Sequence, residues 1–219
     1  VYMYHRKNID TYIPSVQGSL RNNAYYAQCL IDNKTILTGV GYILDLKTFN
    51  AKGSLGKRIN DYLLARDIDG QLYFTRGKNL TRYDPISTKE FIIPNAEEFT
   101  THCITLIHDT IWIGTNLGAG QIIGDSIQWV YKTKFPNDHY GIKSICKDGQ
   151  GNLWLGSYFQ LYRFSPSAGQ TDSFPLLQNM DIRDIQLIRN KIFIGTYGNG
   201  YFIYHDDQLI AMPKGRSLE

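Results

Sequence analysis

The sequence predicts an all-β fold: a β-propeller fragment with about five complete four-stranded blades and partial blades at its ends. Two observations carry this prediction. A motif with an apolar-aromatic-apolar core followed by Gly and then Ser or Thr recurs along the chain, most clearly at residues 153–157. A turn rich in Asp and Gly, residues 148–152, precedes that copy. Because the apolar bursts are too short for helices and contain β-branched or aromatic residues, each predicts a strand.

The motif repeats with the period of a propeller blade. Its central residues stand 36, 39, 42 and 39 positions apart, and they are Leu37, Tyr73, Trp112, Trp154 and Phe193. A glycine follows two positions later in four copies, and Thr75 replaces it in the second. Four strands in about 40 residues are typical of a blade. We therefore divide one predicted domain, residues 1–219, into blades at about 19–53, 54–95, 96–137, 138–179 and 180–213.

Each copy also predicts the other strands of its blade. First strands are expected about ten residues before the central residue, as at 104–107, 142–146 and 182–188, and third strands at 80–83, 161–164 and 201–204. Outermost strands are expected at 91–94, 173–177 and 209–212, each beside a proline, which suits an edge strand. An irregular β-sandwich with chance similarity is the less favoured alternative, because order, spacing and turn chemistry recur together.

The chain begins and ends within predicted blades. Residues 1–5 and 11–14 match third and fourth strands, and residues 214–219 would begin the first strand of a further blade. We expect the missing strands to belong to a longer protein, because the six terminal residues cannot supply two strands. An open ring exposes sheet edges, so we expect self-association or pairing with another chain.

Composition and spacing exclude several kinds of function. The net charge is +3 and no run of five like charges occurs, so nucleic acid is not an expected partner. No apolar run approaches the ~20 residues that span a bilayer, so a membrane is expected only through a parent protein.

The three cysteines are expected to be small buried residues of first strands, and they are Cys29, Cys103 and Cys146. The five histidines are scattered, and neither a metal nor a cofactor is expected.

Three aspartates occupy predicted hairpin turns: Asp69, Asp109 and Asp148. Their surroundings lack the alternating ligand positions of an EF-hand loop. We therefore interpret them as turn residues rather than calcium ligands.

The fourth copy resembles the two-component regulator propeller repeat. Residues 142–157 read Ile-x-x-Ile-x-x-Asp-x-x-Gly-Asn-Leu-Trp-Leu-Gly-Ser, and Leu-x-Arg-Phe follows at 161–164. The likeness is clear again at 104–115 and 185–196 and loose in the first two copies. It implies a seven-bladed parent propeller that serves as the periplasmic sensor of a membrane-bound histidine kinase, without catalysis in this segment. It also implies a carbohydrate or other small-molecule ligand, and partners among the other domains of the parent sensor.

Propeller ligands commonly bind over the central channel, on the loops that join one blade to the next and on those that join second to third strands. Nine residues of these loops are candidates for ligand binding: Arg76, Lys78, Asn79, Asn116, Tyr158, Phe159, Gln160, Tyr197 and Asn199. The first three can donate hydrogen bonds, and the aromatic residues can stack on a sugar face. The alternative is that these loops are ordinary solvated turns, since every propeller has them.

Two other functions are left open. Streptogramin lyases are propellers with broadly similar repeats and a catalytic histidine near the axis, so a lyase-type enzyme is one alternative. His102 and His139 precede predicted first strands and are the residues to test for it, although no general base with an evident partner can be named. A stand-alone scaffold that binds another protein is the other alternative.

Overall fold

The computed structural model describes residues 28–38, 41–48, 50–54, 64–76, 79–134 and 141–212, and these form five four-stranded antiparallel sheets. Each sheet is a meander in which strands adjacent in sequence pair with one another. Helical structure in these residues is limited to two 3₁₀ turns, Ala96–Glu98 and Pro175–Leu177. The predicted all-β fold is therefore confirmed. The predicted partial blades at residues 1–18 and 214–219 lie outside the described residues.

Residue contacts divide the chain into two units, Val1–Tyr62 and Leu63–Glu219. The first unit contains the first sheet, formed by β1 (Gln28–Leu30), β2 (Thr35–Thr38), β3 (Tyr42–Asp45) and β4 (Ala51–Ser54). Asp45 caps the turn that joins β3 to β4. It pairs with Lys52 at 2.8 Å and accepts the backbone N–H of Thr48 at 2.8 Å, and these contacts hold its pKa well below the ordinary value.

The second unit contains the other four sheets. The second sheet consists of β5 (Leu64–Arg66), β6 (Leu72–Arg76), β7 (Asn79–Tyr83) and β8 (Glu90–Ile92), and the third of β9 (Thr101–Ile107), β10 (Thr110–Thr115), β11 (Gly118–Ile123) and β12 (Ser126–Lys132). The fourth sheet consists of β13 (Ser144–Lys147), β14 (Leu153–Gly156), β15 (Leu161–Ser165) and β16 (Gln170–Ser173), and the fifth of β17 (Ile182–Ile188), β18 (Lys191–Thr196), β19 (Tyr201–His205) and β20 (Gln208–Ala211).

Within this unit, consecutive sheets meet through their first strands: β5 contacts β9, β9 contacts β13, and β13 contacts β17. A buried apolar cluster fills each interface. Trp112 of the third sheet lies in one cluster with Leu153 and Leu155 of the fourth, and Trp154 of the fourth lies in the next with Ile194 of the fifth. The aromatic residue at the centre of the motif therefore packs against the following sheet, which explains why it recurs.

The glycine of the motif is required where the next sheet approaches closely. A Cβ at Gly114 would collide with the backbone oxygen of Ile142, and one at Gly156 would collide with the side chains of Ser144 and Ile182. At Gly195 the nearest atom to such a Cβ would lie 3.7 Å away, which is ordinary van der Waals contact. Among these three glycines, the residue is thus a packing requirement in the third and fourth sheets and not in the fifth.

The predicted outermost strand at residues 173–177 is wrong. The strand is Gln170–Ser173, and the proline-containing segment that follows is the 3₁₀ turn Pro175–Leu177. Proline suits the first position of such a turn because its ring fixes φ near the helical value. An N–H at that position would have no partner within the turn, so its absence costs nothing. The turn places Leu177 in the cluster beneath Trp154, and Pro94 likewise follows its strand rather than lying in it.

Two of the three predicted buried cysteines have described side chains. Cys103 is buried and Cys146 is half-buried, and both are free thiols. Burial raises the pKa of Cys103 to about 12, so this thiol is not reactive near neutral pH.

No helix in the described part of the chain is long and apolar enough to cross a membrane.

Candidate functional site

The meander topology gives each sheet of the second unit two distinct ends. In the fourth and fifth sheets, the turns joining first to second and third to fourth strands lie at one end. We call this the turn end, and it comprises residues 148–152, 166–169, 189–190 and 206–207 with the neighbouring strand residues. The loops joining second to third strands lie at the opposite end, beside the starts of the first strands. We call residues 157–160, 197–200, Lys143 and Asp181–Arg183 the loop end.

At the turn end, Asp148 organises the hairpin of the fourth sheet. Its Oδ1 accepts the backbone N–H groups of Gln150 and Asn152, both at 2.9 Å, and its Oδ2 accepts the indole N–H of Trp154 at 2.9 Å. Burial alone would raise the pKa of Asp148, but these hydrogen bonds outweigh it and hold the pKa below the ordinary value. The aspartate is a structural turn residue, as its position in the motif predicts.

A cleft of about 630 Å³ opens at the turn end between the fourth and fifth sheets. Arg163 lies in it and donates to Asp172 of its own sheet at 2.7 Å and to the hydroxyl of Tyr204 in the fifth sheet at 2.8 Å. The Tyr204 hydroxyl in turn donates to Asp207 at 2.7 Å. The main polar groups of this cleft are thus already bonded to one another.

The second and third sheets contain an equivalent contact. Arg82 occupies the position of Arg163 and pairs with Asp125, in the turn between β11 and β12, at 2.6 Å. It also donates to the backbone oxygen of Gly124 at 3.1 Å. The arginine of the Leu-x-Arg-Phe pattern therefore joins one sheet to the turn of the next, and the turn end holds sheets together.

At the loop end, a hydroxyl residue shapes each loop of the third, fourth and fifth sheets. Ser157 Oγ donates to the backbone oxygen of Gln160 at 3.0 Å and accepts the N–H groups of residues 159 and 160. Thr115 bonds Gly118 in the same way, and Thr196 Oγ1 donates to Gly200 at 2.7 Å. The Ser or Thr that closes the motif is thus a loop cap.

Two sequence-predicted residues meet around one cation at the loop end. The guanidinium of Arg183 lies 5.4 Å from the ring centroid of Tyr158 and 5.4 Å from that of Tyr197. The ring of Tyr158 has a second cation on it, because Lys143 Nζ lies 2.7 Å from the ring centroid. We call Lys143, Tyr158, Arg183 and Tyr197 the cation–aromatic cluster.

Asp181 fixes the arginine of this cluster. Its Oδ2 accepts Nε of Arg183 at 2.8 Å and lies 2.6 Å from Nη2, and its side chain is only 15% exposed. The backbone joins the neighbouring loops as well, because the N–H of Ile182 donates to the oxygen of Ser157 at 2.8 Å. With one carboxylate against two cations, the cluster and Asp181 together carry one positive charge.

Lys143 and Arg183 were not among the predicted site residues. Each immediately precedes the residue that pairs with the motif glycine, since Ser144 pairs with Gly156 and Asp184 with Gly195. His102 occupies the same position in the third sheet. Aligning the repeats at this position, rather than at the loops alone, would have revealed a basic side chain in three consecutive copies.

The remaining candidate residues are distributed along the loops. Asn116 is used internally, because its Oδ1 accepts the backbone N–H of Thr100 at 2.9 Å. Phe159 and Asn199 are exposed, and Gln160 is half-buried. Arg76 and Asn79 pair where β6 meets β7, whereas Lys78 lies outside the described residues. Of the nine candidates, the structure thus joins Tyr158 and Tyr197 through a shared contact.

The histidines do not form a metal site in the described residues. His102 is the second residue of β9, and His139 lies outside the described residues. Within the part of the chain that the structure covers, no group of three His, Cys, Asp or Glu residues could hold a metal ion.

Comparison with known proteins supports the repeat family. The sequence model of the two component regulator propeller matches residues 135–159, which include the fourth copy of the motif. This match confirms the resemblance in that copy. Among curated proteins, none matches the sequence.

Solved propeller structures share the fold. The extracellular domain of BT4673 from B. thetaiotaomicron aligns with a TM-score of 0.71 at 21% identity, over 90% of this chain and 28% of that one. The extracellular domain of BT3049 from the same organism, named a hybrid two component system, aligns with a TM-score of 0.65 at 20% identity, over 92% and 28%. The chain thus spans little more than a quarter of these proteins. Virginiamycin B lyase from Staphylococcus aureus, solved with quinupristin, aligns with a TM-score of 0.62 at 18% identity, over 90% and 74%.

Proposed function

We propose that this chain is part of the periplasmic, ligand-sensing propeller of a two-component sensor histidine kinase, and that this segment performs no catalysis. The observation that carries the proposal is the match of the two component regulator propeller to residues 135–159. The likeness of the whole fold to extracellular domains from B. thetaiotaomicron supports it. Its partners would be the other domains of the parent sensor.

The loop end of the fourth and fifth sheets is the proposed ligand site. Tyr158 comes from one sheet and Tyr197 from the next, so a ligand that contacts both bridges two blades. The backbone bonds from Ile182 to Ser157 and from Tyr197 to the backbone oxygen of Asp181 already link these two loops through the start of the fifth sheet. A ligand that prefers one spacing of these blades would shift the population toward it, and that differential affinity is what a sensor requires.

The parent gene provides the first test. We expect it to encode a membrane-spanning segment and a histidine kinase module downstream of the propeller. Its product, reconstituted in vesicles, should change its autophosphorylation rate when the ligand is added. A parent gene with neither element would overturn the proposal and favour a stand-alone scaffold that binds another protein.

A lyase-type enzyme is the second candidate, favoured by the fold shared with virginiamycin B lyase over most of this chain. His102 is the described histidine at the start of a first strand. If the enzyme hypothesis is correct, the full chain should linearise quinupristin, and His102→Ala should abolish that activity. We expect no turnover above the buffer rate, because the sequence match is to a regulator propeller repeat and not to a lyase.

A further inference from the structure

We infer that the cation–aromatic cluster binds an acidic saccharide, whose carboxylate pairs with Lys143 while a sugar ring stacks on Tyr197. The inference rests on the proposed ligand-sensing function and names the chemical class of its ligand. Uronate-containing oligosaccharides have the required combination of a negative charge and a flat, hydrophobic ring face.

The charge of Lys143 is the first observation. Its backbone N–H is bonded to Gly156 at 2.7 Å, which fixes the start of the strand, but no carboxylate pairs with its ammonium group among the described residues. Arg183, by contrast, is held by Asp181. The ammonium group rests on the face of Tyr158, from which it can approach an anion.

The exposed tyrosine is the second observation. Tyr197 is 72% exposed, although a large aromatic side chain at such a position gains little from packing in the fold. The guanidinium of Arg183 lies 5.4 Å from the centroid of this ring, and most of the side chain remains exposed to solvent. The backbone that carries the ring is held in place, because the N–H of Tyr197 donates to the backbone oxygen of Asp181 at 2.8 Å. A positioned, exposed ring beside a cation is suited to a polar ligand with a hydrophobic face.

Electrostatics select the acidic class. The cluster with Asp181 carries one positive charge in excess, so a carboxylate is attracted and an amino sugar is repelled. Each tyrosine ring of the cluster is in contact with a cation, so charge and aromatic surface lie side by side, which favours a small polar ligand over a protein partner.

The test is calorimetric titration of the full chain with trigalacturonate, an alginate trisaccharide and a hyaluronan tetrasaccharide, each compared with its methyl ester. Esterification removes the charge and keeps the ring. We expect at least one acid to bind about tenfold or more tightly than its ester. Lys143→Met should abolish that difference, and Tyr197→Ala should weaken both forms. Lys132→Met makes the same charge change at the exposed end of β12 and should leave binding unchanged.

The outcomes separate the two proposals. If an acid and its ester bind equally and Lys143→Met binds as the wild type does, the acidic specificity is wrong and the sensing role survives. If none of these probes nor a neutral oligosaccharide library binds, both proposals fail at this site. Raising the salt concentration should weaken binding of the acid and not of the ester.

Discussion

The two ends of the fourth and fifth sheets use similar residues for different purposes. At the turn end, an arginine, a tyrosine and two aspartates are bonded in one network, Arg163, Tyr204, Asp172 and Asp207, while Asp148 accepts the indole N–H of Trp154 beside it. At the loop end, an arginine lies between two tyrosines, and a neighbouring lysine has no carboxylate partner among the described residues. The cleft described above is at the turn end, but the available charge is at the loop end.

This difference teaches that concavity alone does not locate a ligand site in a repeat protein. The cleft at the turn end is a junction between two blades, and three of its polar residues, Arg163, Tyr204 and Asp207, are already bonded within the fold. A ligand there would have to replace bonds that already exist. At the loop end, a ligand would gain interactions without breaking the contacts between blades. Substitutions at the turn end should therefore change stability, and those at the loop end should change binding.

The largest effect is expected for Asp148→Ala. The change removes the acceptor of one indole N–H and two backbone N–H groups in a partly buried turn. Because donors left without a partner keep their desolvation cost, we expect a loss of about 2–3 kcal/mol in the free energy of unfolding. Urea denaturation followed by tryptophan fluorescence measures it.

Asp109→Ala is the matched control for this substitution. Asp109 is the turn aspartate of the third sheet, but it is exposed and its turn has only two residues. Its removal should change the free energy of unfolding by less than about 0.5 kcal/mol. Equal losses in the two variants would contradict the structural role assigned to Asp148.

A smaller loss, about 1–2 kcal/mol, is expected for Arg163→Ala, because the side chain is 28% exposed and solvent screens part of its interaction. The same change at Arg82 should have a similar effect, since that arginine makes the equivalent contact with the next sheet. Gln121→Ala in the third sheet, where the position has no arginine, is the control and should be nearly neutral. Thermal unfolding of the three variants would show whether the arginine joins blades wherever it occurs.

The sequence was sufficient to predict the fold because the repeat reports directly on packing. Trp154 recurs because each central aromatic residue fills the interface with the following sheet, and Gly114 recurs because the next strand approaches it closely. The turn at Pro175 was mispredicted because a proline beside an apolar pair suits an edge strand and a 3₁₀ turn equally. Only the contact of Leu177 with the core distinguishes the two.

The candidate site was predicted less completely. The loops are identified by the repeat, so Tyr158 and Tyr197 could be named as aromatic residues with access to solvent. Their shared contact with Arg183 depends on how adjacent blades are placed, and a linear motif does not contain that information. Lys143 was missed because it lies just before a first strand, outside the loops that join second to third strands.

The pH dependence of stability offers a third, smaller test of the turn end. The pKa of Asp148 is depressed in the folded state, so the unfolded state binds more protons in acid. The stabilisation is therefore complete above the unfolded pKa of about 4 and is lost as the pH falls toward the folded value. Unfolding free energy measured between pH 6 and pH 2.5 should fall less steeply in Asp148→Asn than in the wild type. Parallel curves would mean that the carboxylate contributes nothing to the fold.

The smallest effect on stability is expected for Tyr197→Ala at the loop end. With 72% of its surface exposed, the side chain loses little packing on removal, and the backbone bond from its N–H to Asp181 is kept. We expect the free energy of unfolding to change by no more than about 0.5 kcal/mol. Tyr204→Ala is the contrasting variant, because this ring packs against Trp154 at 4.7 Å and bonds Arg163, and it should cost several times more. If both tyrosines proved equally important for stability, the loop end would be structural, and its exposed ring would no longer argue for a ligand.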